Sequence, residues 1–305
     1  MATDSPRPYL YPTQSAPVRR SAEALETSSR VPTGVPDFDY FTGGIPSGSV
    51  VLLFGEAGAG HPEFALTSAA HLMLHRDDPG SYPLHLGNSR GPFVFPEGVA
   101  YVSTSRSEEQ VIGELRAAFP GQYPAVLGRH LLFRDLSPVY FSDTVVPSAW
   151  ASVPSPILSP SRTPFAPTGG PVRAVADTAE AHGPGNLLVV DSLTDLLVRP
   201  GLDVAEILTL LKGLRRRAKE WNGLVYLLLS EGVAPSPVEQ AVIDSVDVVL
   251  HFAWMTSPSR SHRQRSMVIE KSMPVLAHLP AEYHGRFVIR VNSANGLVTT
   301  QYERV

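Results

Sequence analysis

The chain has 305 residues, 43% of them hydrophobic, enough to bury a large core in one large domain or two small ones. Its formal net charge of -4 excludes a molecule that is basic overall, as a general nucleic-acid binder would be. Cysteine is absent, which excludes a disulfide framework, a thiolate metal site and a cysteine nucleophile. No apolar run is long enough to cross a bilayer. The N-terminus carries Pro6, Pro8, Pro12 and Pro17 and lacks the apolar core of a signal peptide, so a soluble cytoplasmic protein is expected.

Residues 1–29 are rich in Ser, Pro and Ala without an apolar period and read as a disordered tail. A single domain is expected over residues 30–305, with no internal repeat. It opens on Thr33-Gly34 and a short hydrophobic stretch, followed by Gly43-Gly44-Ile45-Pro46 and Gly48-Ser49. The glycines permit a tight turn and Pro46 sets the entry to the next strand. Residues 49–54 are an apolar strand. The turn Gly55-Glu56-Ala57-Gly58-Ala59-Gly60-His61-Pro62 follows, and then a helix over 63–75. Strand, glycine-rich turn and helix are the context that gives the phosphate-loop pattern G-x-x-x-x-G-K-[ST] its meaning.

Further along, residues 77–96 are loop by their glycines and prolines. Residues 98–104 form a second strand, and Ser107 with Gln110 spells a capping box for a helix reaching 119. A short strand spans 131–135. Residues 146–171 are dominated by Pro and Ser and read as a mobile insert, which neither helix nor central strand tolerates. A helix over 172–182 leads to the buried strand 186–192, which carries Asp191 near its end. An amphipathic helix spans 204–221, a buried strand 224–230, and a short helix 237–243 with proline in its first turn. Residues 246–252 and 266–271 read as paired strands, and 287–291 with 297–301 as a hairpin around Asn295-Gly296. This order predicts an α/β sheet, parallel in its centre and antiparallel at its C-terminal edge.

The run from Thr33-Gly34 through Gly43-Gly44-Ile45-Pro46 into the Gly55–Gly60 turn resembles the RecA-superfamily ATPases of the KaiC and archaeal recombinase type. Within them it looks most like the archaeal KaiC-like proteins labelled HTR-like. The resemblance extends from about residue 30 to the C-terminus and implies a RecA-like P-loop NTPase fold. It assigns the nucleotide site to Gly55, Gly58, Gly60, His61 and Asp191. Asp191 resembles the Walker B aspartate, which holds Mg²⁺ through water in that family. Lys271 stands at the lysine of a Lys-x-Arg pair that reaches a neighbouring subunit's nucleotide.

The chemistry at those positions is altered. His61 replaces the phosphate-binding lysine, and a free histidine is mostly neutral at pH 7. Pro62 removes the Mg²⁺-binding hydroxyl and one backbone donor. Glu56 and Glu63 would repel a triphosphate. The family's Glu-Glu base would sit after the second strand, where this chain has Ser105-Arg106, and neither is a general base at neutral pH. Met273 stands in place of the arginine of Lys-x-Arg. Four parts of one machine are changed in separate segments. The expectation is a degenerate Walker A motif, no catalytic residue, and a regulatory or scaffolding module acting through protein partners. No cofactor is the first expectation; ATP with Mg²⁺ stays open as the alternative, retained by backbone contacts.

Two other readings belong to the resemblance: an ATP-binding recombinase-type protein acting on DNA, or a weak ATPase. The basic stretch Ser259 to Arg265 would be the DNA contact, though it has no interleaved aromatic residue and reads first as a solvated hairpin tip. The family's rings make a homo-oligomer a further expectation. The cations Arg215, Arg216 and Arg217 lie near a helix C-terminus, where the helix dipole stabilises them. His71, His75, His251, His278 and His284 show no metal-ligand spacing, so no metal site is expected.

Overall fold

The computed structural model describes residues 29–84, 86, 92–151, 169–256, 263–276, 286–293 and 295–301. The expected tail lies outside these residues apart from Ser29, as does most of the expected 146–171 insert; in its described part a short helix, Ser148–Ala151, forms where none was expected, because the prolines stand outside those four residues. The chain enters through a two-residue strand, β1 (Arg30–Val31), which pairs antiparallel with β2 (Ile45–Pro46); helix α1 (Pro36–Thr42) lies between them. Buried Asp39 on α1 accepts from Thr33 N at 2.9 Å, Thr33 Oγ1 at 2.8 Å and Gly34 N at 2.7 Å. Burial, opposed by these donors, pushes its carboxyl up to about 7. The Arg30 side chain donates to the carbonyls of Thr42, Gly43 and Gly44. The Thr-Gly and Gly-Gly pairs of the sequence are thus the two ends of one clasp around α1.

Among the described residues the main sheet has nine strands. In chain order they are β3 (Ser49–Gly55), β4 (Val99–Ser103), β5 (Leu131–Asp135), β6 (Leu187–Asp191), β7 (Leu224–Ser230), β8 (Val248–Thr256), β9 (Arg263–Lys271), β10 (Arg286–Asn292) and β11 (Gly296–Gln301). Their spatial order is β11-β10-β9-β8-β3-β7-β6-β4-β5. The six strands from β5 to β8 are parallel, and β9, β10 and β11 continue the sheet antiparallel. This is the expected mixed sheet.

Both faces are covered, as a parallel sheet requires. On one face Val51, Leu53, Tyr226 and Leu228 pack against α1, α2 (His61–Asp77), α3 (Glu108–Ala118) and α4 (Gln122–His130). On the other, Val50, Leu52, Val225 and Leu227 pack against α5 (Pro171–His182), α6 (Leu193–Val198), α7 (Val204–Ala218) and α8 (Ser236–Ser245). Successive strand side chains point to opposite faces, which is why β3 and β7 are apolar without alternation.

The element order follows the sequence reading, with several differences. Helices α4 and α6 and the short helices Ser137–Tyr140 and Met273–Leu276 were not expected; α6 is capped by Ser192, whose hydroxyl accepts from Asp195 N at 3.2 Å. Helix α2 begins at His61 rather than at residue 63. The Ser107–Gln110 capping box is present, with both reciprocal bonds formed. The larger correction concerns the basic stretch before residue 266. Arg263 and Arg265 belong to β9, paired with Thr256 and Trp254 of β8, rather than to a hairpin tip; residues 257–262 lie outside the described residues. An aromatic residue does interleave there, supplied by the facing strand.

One glycine fixes the join between sheet and turn. A Cβ on Gly55 would lie 2.4 Å from the Phe252 carbonyl oxygen and 2.6 Å from Phe252 Cβ on β8. Gly55→Ala is therefore expected to lower unfolding stability by about 2 kcal/mol or more through overpacking. Urea denaturation measures it; a midpoint unchanged from the parent protein would show that β3 and β8 can separate at no cost.

Candidate functional site

Parallel strands bring their C-terminal ends to one edge of the sheet, and that edge is where open α/β sheets place their sites. Gly55 ends β3, Asp191 ends β6 and Ser103 ends β4. Gly58 and Gly60 both have positive φ, 73° and 119°, a conformation that glycine adopts without the Cβ clash. The glycine frame therefore forms the expected turn, and Gly60 caps the start of α2.

The turn is held from the C-terminal strands. Glu56 N donates to Phe252 O at 3.0 Å, and the Glu56 carboxylate accepts from Trp254 N at 3.2 Å. Trp254 Nε1 donates to Ala57 O at 3.1 Å, and Arg265 Nε to Gly58 O at 2.8 Å. Glu56 is thus a structural acceptor within the sheet edge. The β10–β11 hairpin docks against the same helix: Leu297 N donates to Thr67 Oγ1 at 2.9 Å. The close approach allows only glycine at 296, where a Cβ would lie 2.7 Å from Thr67 Oγ1.

His61 is 5% exposed, and its ring centroid lies 6.2 Å from that of Phe252. Its Nδ1 has no hydrogen-bond partner among the described residues. Burial, opposed by the nearby charge of Asp191, lowers its pKa to about 4. At neutral pH it carries no charge, so it does not replace the lysine's cation.

Asp191 is the centre of a polar cluster. Its Oδ2 accepts from Tyr101 Oη at 2.6 Å and Arg106 Nε at 3.1 Å, and from Arg106 Nη2 in a short contact. Arg106 Nη2 also donates to Tyr101 Oη at 3.1 Å, and Nη1 to Glu114 Oε2 at 2.6 Å. Burial would lower the Arg106 pKa; its interactions with Tyr101 and with the Asp191 carboxylate outweigh burial and raise the pKa. Tyr101 is raised in turn by burial and by Asp191. Neighbouring Ser105 and Thr104 both donate to Asp195 Oδ2, at 2.7 and 2.5 Å. Ser105 and Arg106, at the positions that the resemblance assigned to a catalytic base, are therefore bound to Asp195, which follows β6, and to Asp191, which ends it.

The structure brings Gly55, Gly58, Gly60, His61 and Asp191 to one edge. Lys271 lies elsewhere. It pairs in register with Val249 near the start of β8, and its Nζ donates to Ile243 O and Asp244 O, both at 2.9 Å. These carbonyls end α8, where a cation is favoured by the helix dipole.

The residues present do not fit Mg²⁺ with a triphosphate. The carboxylate that would face the metal is already paired with a guanidinium, residue 62 offers no hydroxyl, and residue 61 is neutral and buried. Reading the sequence registered Arg106 only as a missing base. Its pairing follows from β4 and β6 being neighbours, with Ser103 opposite Asp191; a cation three residues past one strand end beside an acid at the other was the available signal. Among the described residues, no group of His, Cys, Asp and Glu could hold a metal ion, and no helix is long and apolar enough to cross a membrane.

Comparison with protein-family profiles and with curated proteins finds no match. Solved structures match in fold. The flagellar accessory protein FlaH of Methanocaldococcus jannaschii aligns with a TM-score of 0.59 at 15% identity, over 90% of this chain and 100% of its own. A KaiC-like protein of Pyrococcus horikoshii OT3 aligns with a TM-score of 0.57 at 17% identity, over 90% of this chain and 99% of its own. The fold is the KaiC-like, RecA-type α/β fold that the resemblance implied.

Two predictions follow from the cluster. Removing either partner of the Arg106–Asp191 pair leaves a buried charge or donor unpaired. Arg106→Ala and Asp191→Asn should each destabilise, and a double-mutant cycle should show coupling of about 2 kcal/mol; additivity within about 0.5 kcal/mol would mean that the pair is not formed. His61 has a folded pKa of about 4, below its unfolded value near 6.5. The unfolded chain takes up the proton first. The His61 contribution is therefore intact above pH 6.5 and lost as pH falls toward 4, by up to about 3 kcal/mol. Urea unfolding at pH 7 and pH 4.5 should differ less in His61→Gln than in the parent; an equal difference would exclude burial of a neutral ring.

Proposed function

We propose that this chain is a non-catalytic KaiC-like module, with a degenerate Walker A motif, that acts as a regulatory or scaffolding part through protein partners. One observation carries the reading: Arg106 donates to Asp191 from within the same chain. A guanidinium satisfies the charge and hydrogen-bonding capacity of the acid that would otherwise help hold Mg²⁺. Supporting it, the buried neutral imidazole of His61 supplies no charge to a β- or γ-phosphate, and Pro62 supplies no hydroxyl. The fold with its edge glycines remains, so the turn serves as a folding element where the hydrolytic groups are gone. An accessory role is the kind named for FlaH, which shares the fold.

Hydrolysis is the direct test. Mg²⁺-dependent ATP turnover should equal that of Asp191→Ala prepared in parallel, because both preparations would report background alone. Turnover in the parent that disappears in Asp191→Ala would overturn the reading and restore a weak ATPase.

A further inference from the structure

A cavity of about 210 Å³ lies beside the clasp around α1, and its wall includes Gly34, Pro36, Asp39, His71, Tyr82 and Leu84. His71 stands ten residues beyond His61 on α2, about 15 Å along the axis at 1.5 Å per residue. The cavity is therefore nearer the far end of that helix than the glycine-rich turn. Its volume is below that of drug-sized sites and suits a ligand of a few heavy atoms.

Most polar side chains of the wall are already engaged. His71 Nδ1 lies 2.6 Å from Gly34 O, and its Nε2 makes a short contact with Tyr123 Oη. A carbonyl only accepts, so Nδ1 carries the proton and Nε2 accepts from the tyrosine. Tyr82 Oη donates to Gln122 Oε1 at 3.3 Å. Asp39 is the exception. A carboxylate has about four acceptor sites; Oδ1 takes Thr33 N and Thr33 Oγ1, and Oδ2 takes only Gly34 N. Among the described residues Asp39 forms no ion pair. Arg30 favours its charge from a distance, but the Arg30 hydrogen bonds go to the carbonyls of Thr42, Gly43 and Gly44. The acid is only 1% exposed, so water does not compensate it either.

We infer that this cavity binds a small alkylammonium ion. The ammonium donates to Asp39 Oδ2, and the alkyl stem lies against Pro36 and Leu84. A charged donor to a carboxylate bonds about twice as strongly as a neutral one, and an aromatic side chain in the wall favours a cation. The same acid disfavours an anion, and among the described residues no group of His, Cys, Asp and Glu could hold a metal ion. The inference stands independently of the preceding proposal, since it needs neither Asp191 nor the turn.

The titratable groups facing Asp39 from other elements are Arg30 of β1, His71 of α2 and Tyr226 of β7; β11, which also packs on α1, carries none. From pH 6.5 to 8.5 Arg30 stays charged, burial keeps Tyr226 protonated, and burial keeps His71 neutral. Asp39, with its carboxyl pushed up to about 7, is the group that changes charge in that range.

NMR titration in phosphate buffer tests the inference, with n-butylammonium as probe and n-butanol as its neutral counterpart. The ammonium should bind with a Kd of about 1 mM or tighter, and n-butanol at least about tenfold more weakly. Affinity should rise about fourfold from pH 6.5 to 8.5, as Asp39 ionises while the amine stays protonated. Asp39→Asn should weaken binding at least about tenfold, while Glu109→Gln, an exposed acid on α3, should leave it unchanged. Asparagine also disturbs the clasp, so Leu84→Trp, which fills the cavity and keeps the acid, carries the test should that variant not fold; it should abolish binding. A free amine and a lysine side chain present the same group. Nα-acetyl-lysine amide binding more tightly than butylammonium would place the source on a protein chain, and the reverse on a free amine; either order supports the inference. Four results would overturn it: no binding of the ammonium, equal binding of n-butanol, an affinity independent of pH, or binding unchanged in Leu84→Trp. Mg²⁺-dependent turnover bears on the preceding proposal alone.

Discussion

Every residue of β3, from Ser49 to Gly55, is buried, with β7 on one side, β8 on the other and helices over both faces. A parallel strand in that position must spend its backbone groups on its neighbours and its side chains on two cores. Its end is therefore fixed in space, and Gly55 meets Phe252 so closely that no side chain fits. The turn, the start of α2 and the C-terminal strands all take their positions from that contact. Because β6 and β4 run parallel to β3, Asp191 and the segment Ser103 to Arg106 are delivered to the same edge.

What the edge does with those residues is set by charge. A carboxylate that is nine-tenths buried needs compensation. Here the compensation is Arg106, oriented by Tyr101 on one side and Glu114 on the other. His61 meets the same low-dielectric surroundings by staying neutral. The outer carbonyls of the turn, Ala57 and Gly58, are taken by Trp254 and Arg265. Cationic charge at this edge has thus two addresses: Arg106, paired internally with Asp191, and Arg263 and Arg265 on the β8–β9 surface, stacked on Trp254.

Fold and site make different demands on a sequence. The fold is shared with its structural neighbours at 15 to 17% identity, because strand and helix cores accept any apolar residue of suitable size. A phosphate site depends instead on a few polar atoms at defined points, so a shared scaffold does not by itself carry one.

Much of the architecture was legible in the residues themselves. Continuous apolar runs at 49–54, 187–190 and 224–229 announced strands buried on both faces, the Ser107–Gln110 box marked a helix start, and Asn295-Gly296 marked a hairpin. The clasp of Thr33 and Gly34 on Asp39 lay within a readable motif. These features are local, so the order of side chains along the chain suffices to determine them. Helix α6 was missed because its six residues are too short for a clear period. The pairing of Arg106 with Asp191 spans 85 positions, and that of Trp254 with Arg265 depends on strand register. Sequence alone determined which groups the edge of the sheet would receive and which were absent, a lysine and a hydroxyl among them. Only the tertiary structure decided which charges would meet, because the partners of a buried ion are chosen by sheet order and solvent exclusion rather than by distance along the chain.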